Sequence, residues 1–194
     1  MTKQEKLSQL NEKMINCSQC ILRSGCKNVV PGEGSANAEI MFIGEGPRQK
    51  EDELGRPFVG AAGKFLDEML GIINLKREEV YIANIVKCRP PQNRDPLPEE
   101  AAECWPWLIE QIRIIQPKLI VTLGRHSMER FLPNQKISQI HGRAMRREID
   151  DIGKQVFYTL YHPAAALYNG SMRELLIKDF KRIPKVIEKI KETI

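Results

Sequence analysis

An α/β fold is predicted for this chain: a three-layer α/β/α sandwich around a central, mainly parallel, four-stranded sheet. Three observations predict it. Short runs of branched and aromatic residues, bounded by Gly, Pro or Asn, recur along the sequence as buried parallel strands do. Amphipathic stretches with helical spacing separate them, and such alternation builds parallel sheets through right-handed crossovers. The length, 194 residues, suits one substantial core rather than two. Residues 1–194 are therefore expected to form a single domain, with residues 1–30 an N-terminal arm.

The elements follow in order. Glu39-Ile-Met-Phe-Ile43, Val80-Tyr-Ile-Ala83, Leu119-Ile-Val-Thr-Leu123 and Val156-Phe-Tyr-Thr-Leu160 are the four strands. After the first, Phe65, Leu66, Met69, Leu70 and Ile73 keep helical spacing; after the second, Ala101, Trp105, Leu108, Ile112 and Ile115 do so. Pro96 and Pro98 followed by Glu99-Glu100 suit a helix N-terminus, where a missing N–H is harmless and carboxylates meet the positive dipole end. Pro106 is expected to kink that helix. Met172 to Thr193 reads as a Lys/Glu-laced amphipathic helix interrupted at Pro184.

Composition narrows the function classes. Hydrophobic content of 42% and charged content of 28% are ordinary for a soluble globular protein. No stretch approaches a membrane span, and Met1-Thr-Lys-Gln-Glu-Lys6 lacks the apolar core of a secretory signal, so the cytoplasm is the expected location. The net charge of +5 is compatible with a polyanionic partner.

Five cysteines are present, and in a reducing compartment metal ligation or burial is expected of them rather than disulfides. Cys17-Ser-Gln-Cys20 near the start and Cys88 and Cys104 in the middle read as a metal or iron–sulfur site stapling the arm onto the body. All-thiolate ligation satisfies zinc and iron–sulfur alike. Cys26 reads as a surplus buried thiol.

In open parallel sheets, ligands sit beyond the carboxyl ends of the strands. Here those ends carry Gly44-Glu-Gly-Pro47, Asn84, Gly124 and His162-Pro163, which converge on one cleft. His126 and His141 read as ordinary structural histidines. The basic run Arg143-Ala-Met-Arg146-Arg147 reads as solvated surface.

Several blocks in one order carry a resemblance. They are Gly44-Glu-Gly-Pro47, Glu51-Asp52, Gly55-Arg-Pro-Phe-Val-Gly60, Ala62-Gly63, Asn84-Ile-Val-Lys-Cys88-Arg-Pro-Pro-Gln-Asn93-Arg94 and His162-Pro-Ala164. With the four-cysteine spacing, this collinear set resembles the family 4 uracil-DNA glycosylases from about Cys17 to Asn169. The resemblance implies the uracil-DNA glycosylase-like sandwich, excision of uracil from DNA by hydrolysis of the N-glycosidic bond, and a 4Fe–4S cluster on Cys17, Cys20, Cys88 and Cys104. Zinc is the alternative that the residues alone leave open.

The reaction explains the residue types. Breaking the C1′–N1 bond builds positive charge on the sugar and negative charge on the departing base. It calls for an anion near the sugar, donors aimed at the base oxygen and a held water. Glu51 or Glu45 supplies the carboxylate, and His162 or the Glu45-Gly46 backbone supplies donors. The Asn84 amide matches uracil O4 and N3–H, and Phe58 offers a face for the flipped base. The family comparison implies a uracil pocket of Glu45, Gly46, Pro47, Phe58, Asn84 and His162. It implies Glu51 as the catalytic carboxylate and Asn93 as a second water-positioning group.

Arg56, Arg89 and Arg94 flank the cleft as candidate phosphate contacts, and Leu167 is the candidate wedge. In two places the chain departs from the family. Arg48 stands where members usually have Gly, and Ala164-Ala-Ala166 stands where bulky residues often follow His-Pro. The expected partner is uracil-containing DNA, single- or double-stranded, met by a monomer beside the chromosome, with no membrane. Two other classes are a DNA cross-linking relative and a non-catalytic iron–sulfur protein that binds damaged DNA. The cross-linking branch carries a His-containing insertion before its second pair of cysteines is complete, and no His lies between Cys88 and Cys104 here.

Overall fold

The computed structural model describes residues 1–192. The chain opens with helix α1 (Lys3–Ile15), capped by Thr2, and a short turn α2 (Leu22–Gly25). There follow β1 (Glu33–Gly34), β2 (Ile40–Gly44), α3 (Gln49–Leu54), α4 (Ala61–Ile72), β3 (Tyr81–Asn84), α5 (Pro98–Ile115), β4 (Leu119–Leu123), α6 (Arg125–Phe131) and α7 (Ile137–Ile140). The chain then forms β5 (Ala144–Ile149), β6 (Gly153–Leu160), α8 (Gly170–Phe180) and α9 (Ile183–Glu192).

The sheet order is β1-β3-β2-β4-β6-β5. The four predicted strands are the central ones and are mutually parallel, with Met41 opposite Tyr81 and Ile120, and Ile120 opposite Phe157. The four-stranded expectation is corrected to six, because an antiparallel strand is added at each edge. Both additions hide from pattern reading. β1 is two residues long, and β5 is the basic run, mostly exposed, so it lacks the apolar alternation that marks a strand.

Period-2 alternation sends neighbouring strand residues to opposite layers. Met41 and Ile43 join Leu108, Ile112, Phe131 and the α1 residues Leu7, Leu10 and Met14 on one face. Phe42 and Ile82 join Leu66, Met69, Phe180 and Ile183 on the other, where the Phe42 and Phe180 rings stack at 5.6 Å. The arm is thus held by buried apolar side chains as well as by whatever joins its cysteines. Among the described residues, no helix is long and apolar enough to cross a membrane.

α5 begins on Pro98, and Glu100 accepts the Leu97 N–H at 2.8 Å, as the dipole argument expects. The helix runs from Pro98 to Ile115 through Pro106 without ending there. The C-terminal helix divides at Lys181-Arg182, and Pro184 sits in the first turn of α9, where its missing N–H is tolerated. Thr193, the expected end of that segment, lies outside the described residues.

Candidate active site

The carboxyl ends of β2, β3 and β6 open onto a cavity of about 260 Å³. Its lining includes Gly46, Arg48, Glu51, Phe58, Asn84, Asn93, His162 and Leu167, so most of the catalytic and uracil-pocket candidates meet there. Asn84 is the last residue of β3 and 2% exposed, and its Oδ1 is buried with no hydrogen-bond partner among the described residues. A buried orphan acceptor costs roughly 1–3 kcal/mol, so it marks a place where a ligand donor belongs. A Cβ on Gly44 would collide with that oxygen and with the Phe58 ring, so only glycine lets the three groups converge.

Glu51 lies in the first turn of α3 and is 9% exposed. Its Oε1 accepts the Val59 and Gly60 N–H groups, both at 2.9 Å, and its Oε2 accepts the Arg48 N–H at 3.2 Å. A carboxylate offers about four acceptor sites. The backbone fixes the group through three of them and leaves one for a water in the cavity.

Phe58 adopts φ +51°, a left-handed conformation that is costly for an aromatic residue. Two features hold it. A Cβ on Gly63 would overlap the Phe58 carbonyl, and Arg77 donates to the Phe58 carbonyl at 3.1 Å and to that of Pro57. Arg77 also pairs with Glu33 and, at 2.9 Å, with Asp67. It is a site-building residue that no motif in the sequence marks out.

His162 follows β6 and stacks on Phe58 at 5.6 Å between ring centroids. Its Nδ1 accepts the Ala164 N–H at 3.1 Å, which assigns the neutral tautomer with the proton on Nε2. Burial lowers its pKa to about 4, and the nearby Arg48 charge acts in the same direction. His162 is therefore a neutral N–H donor throughout the physiological range.

Other expected residues lie differently. The Glu45 carboxylate lines a neighbouring cavity of about 200 Å³ and faces His126 Nε2 at 3.5 Å; Asp95 approaches the same nitrogen at 3.1 Å. Burial raises the Glu45 pKa, with the His126 charge opposing. The Glu45 side chain is thus turned beside the cavity rather than into its wall, with His126 as its partner. His141 keeps its structural reading, with Nδ1 2.6 Å from the buried Asp179. Pro47 is buried and not in the cavity wall.

At the rim, Arg48 is exposed and donates to the Asn93 carbonyl at 3.3 Å; Asn93, at φ +56°, accepts from Arg89 Nε at 2.8 Å. Arg94 forks onto the buried Glu100 at 2.6 and 2.8 Å, and Arg56 onto Glu33 at 2.7 and 3.1 Å. Leu167 is half-buried in the cavity wall, whereas its neighbour Tyr168 is 98% exposed.

Cys17, Cys20, Cys88 and Cys104 line a small void of about 20 Å³ between α1, the loop after β3 and α5. Cys26 lies outside that wall, where its thiol donates to the Arg23 carbonyl at 3.7 Å and accepts from the Arg23 guanidinium at 3.8 Å. The Lys87 N–H donates to Cys104 Sγ at 3.3 Å. Among the described residues, no three cysteine sulfurs lie within 4.8 Å of one another. Thiolates around one zinc, with Zn–S near 2.3 Å, stand about 3.8 Å apart. All-thiolate sets of this kind hold a zinc ion or an iron–sulfur cluster. Burial pushes the Cys104 thiol up to about 11, so a bound cationic metal is what would make it a thiolate.

The family model described as "Uracil DNA glycosylase superfamily" matches residues 31–191. The chain belongs to the uracil DNA glycosylase superfamily. It is 48% identical to the type-4 uracil-DNA glycosylase of Sulfurisphaera tokodaii over 92% of this chain and 84% of that one. It is 44% identical to the type-4 enzyme of Archaeoglobus fulgidus over 98% of each chain, and 40% identical to that of Thermotoga maritima over 97% and 98%. The superfamily match covers the whole parallel sheet, with Asn84, His162 and the loops that build the cavity.

Proposed function

We propose that the chain is a type-4 uracil-DNA glycosylase: it takes a flipped deoxyuridine into the 260 Å³ cavity and hydrolyses its N-glycosidic bond. One observation carries this reading: the buried, unpartnered Asn84 Oδ1 faces a cavity walled by Phe58 and a neutral His162. Uracil N3–H satisfies that oxygen, the Asn84 amide nitrogen donates to O4, and Phe58 stacks on the ring. His162 Nε2–H donates to O2, where charge collects as the C1′–N1 bond breaks and its electron pair moves onto the base. A water held by Glu51, with Asn93 beside it, adds to C1′ and passes its proton to the Glu51 carboxylate. That carboxylate also faces the positive charge developing on the sugar. Glu45 contributes through its backbone and through the His126 contact.

Arg56, Arg89 and Arg94 flank the cleft as phosphate contacts. Arg89 has no carboxylate partner among the described residues and carries the larger share. Leu167 supports the rim, where the stack meets the protein. Cys17, Cys20, Cys88 and Cys104 hold a 4Fe–4S cluster, with zinc the lesser alternative. That group supplies a structural clamp, because saturated thiolates leave no open position for substrate.

The test is incubation with DNA carrying one uracil, followed by alkali. The expected result is strand cleavage at that position. A denaturing gel with DNA covalently retained on the protein would favour the cross-linking relative. Binding with no cleavage across salt concentrations would favour a damage-binding protein and sink the proposal.

A further inference from the structure

Lys87 is 2% exposed, one of the largest fully buried side chains, and its ammonium has two hydrogen-bond partners among the described residues, both neutral oxygens. Nζ donates to the main-chain carbonyl of Asn84 at 3.0 Å and to Gln111 Oε1 at 2.7 Å. Gln111 is itself fully buried and donates to the Tyr81 hydroxyl at 3.0 Å and the Pro31 carbonyl at 2.8 Å. A buried cation without an anion is costly, and a methionine would fill the same space without that cost. The missing anion is close by. Lys87 lies next to Cys88 in sequence, and its own N–H donates to Cys104 Sγ at 3.3 Å, so a negatively charged cluster on these cysteines would stand beside it.

One side chain therefore joins two places. Its backbone touches the cysteine group, and its ammonium grips the residue whose side chain faces the base cavity. The carbonyl it holds ends β3, where Asn84 must aim an amide at the ligand with little tolerance. We propose that Lys87 is the countercharge of the cysteine cluster and, through the same ammonium, the positioning residue for Asn84. Loss of the cluster's negative charge is then felt as weaker base binding. This rests on the reading that the cavity takes uracil.

The experiment compares purified holoprotein with Lys87→Met by two readouts that need no catalysis: titration with free uracil, and the rate at which an iron chelator bleaches the visible absorbance. Lys87→Met is expected to bind uracil about tenfold more weakly, the loss typical of one charge-assisted hydrogen bond, and to bleach faster. A merely structural role would not move both together. Uracil affinity within about twofold of the parent, or an unchanged bleaching rate, would overturn the proposal. If Lys87→Met yields no soluble holoprotein, Gln111→Leu removes the ammonium's other partner and leaves the charge. It should weaken uracil binding in the same direction by less, and unchanged affinity there overturns the proposal equally. A parent protein that bleaches normally but neither binds uracil nor cuts uracil-containing DNA would instead sink the glycosylase reading.

Discussion

The molecule has a second and larger cavity, about 650 Å³, between α9 and the β5–β6 edge of the sheet. Set against the 260 Å³ cavity at the strand ends, it shows what makes a hole a site. The larger one is lined by Arg146, Arg182, Lys185 and the Tyr158 ring, and two of these groups are already paired. Tyr158 donates its hydroxyl to the Asp179 carbonyl at 2.8 Å, and Arg182 pairs with the Asp179 side chain at 3.2 Å. The smaller one keeps an orphan acceptor, an aromatic residue in a costly backbone conformation and a carboxylate pinned by three backbone donors. Unspent hydrogen-bonding capacity and stored strain, not volume, distinguish it.

The comparison breaks first at Glu51. Glu51→Gln keeps the shape but removes the negative charge and the proton acceptor, and single-turnover uracil excision should fall about a thousandfold with DNA affinity unchanged. A tenfold loss or less would move the anion's role elsewhere. Next comes His162→Ala, expected to cost about a hundredfold in kcat, the usual effect of one donor to a developing anion. The same variant has a pH signature. A histidine near its ordinary 6.5 when unfolded and at about 4 when folded binds protons preferentially in the unfolded chain, so it lowers parent stability as pH falls from about 6.5 to 4. Urea midpoints measured from pH 7 to 4 should therefore decline less in His162→Ala than in the parent.

Smaller effects test the wall and the rival cavity. Gly63→Ala pushes on the Phe58 carbonyl, and KM should rise about tenfold as the stacking face shifts, with a lowered thermal midpoint. Paired Arg146→Ala and Lys185→Ala changes in the larger cavity should leave single-turnover excision within about twofold and at most flatten the salt dependence of binding. A large loss of rate there would erase the distinction between the two cavities.

Much of this was legible in the sequence. The four central strands announce themselves because burial on both faces demands unbroken apolar runs, as in Leu119–Leu123. The site residues cluster at strand ends, so Glu51, Phe58, Asn84 and His162 could be placed together from topology alone. The edge strand β5 was not legible, because neither face is buried and nothing selects an alternating pattern. The direction of the Glu45 side chain was not either: it depends on His126 and Asp95, brought to it by separate loops. Arg77 and Lys87 escaped for the same reason. Their roles lie in holding carbonyls at Pro57, Phe58 and Asn84, and a main-chain acceptor leaves no mark on the sequence.

Asn84 reads the base, and the ratio of uracil to cytosine excision by Asn84→Asp tests that role. A carboxylate keeps the size of the amide but loses the donor to O4, and it accepts instead from the amino group that cytosine carries there. Uracil excision should fall by about two orders of magnitude or more, and the uracil-to-cytosine ratio should fall with it. An Asn84→Asp protein that excises uracil at the parent rate with the parent ratio would contradict it.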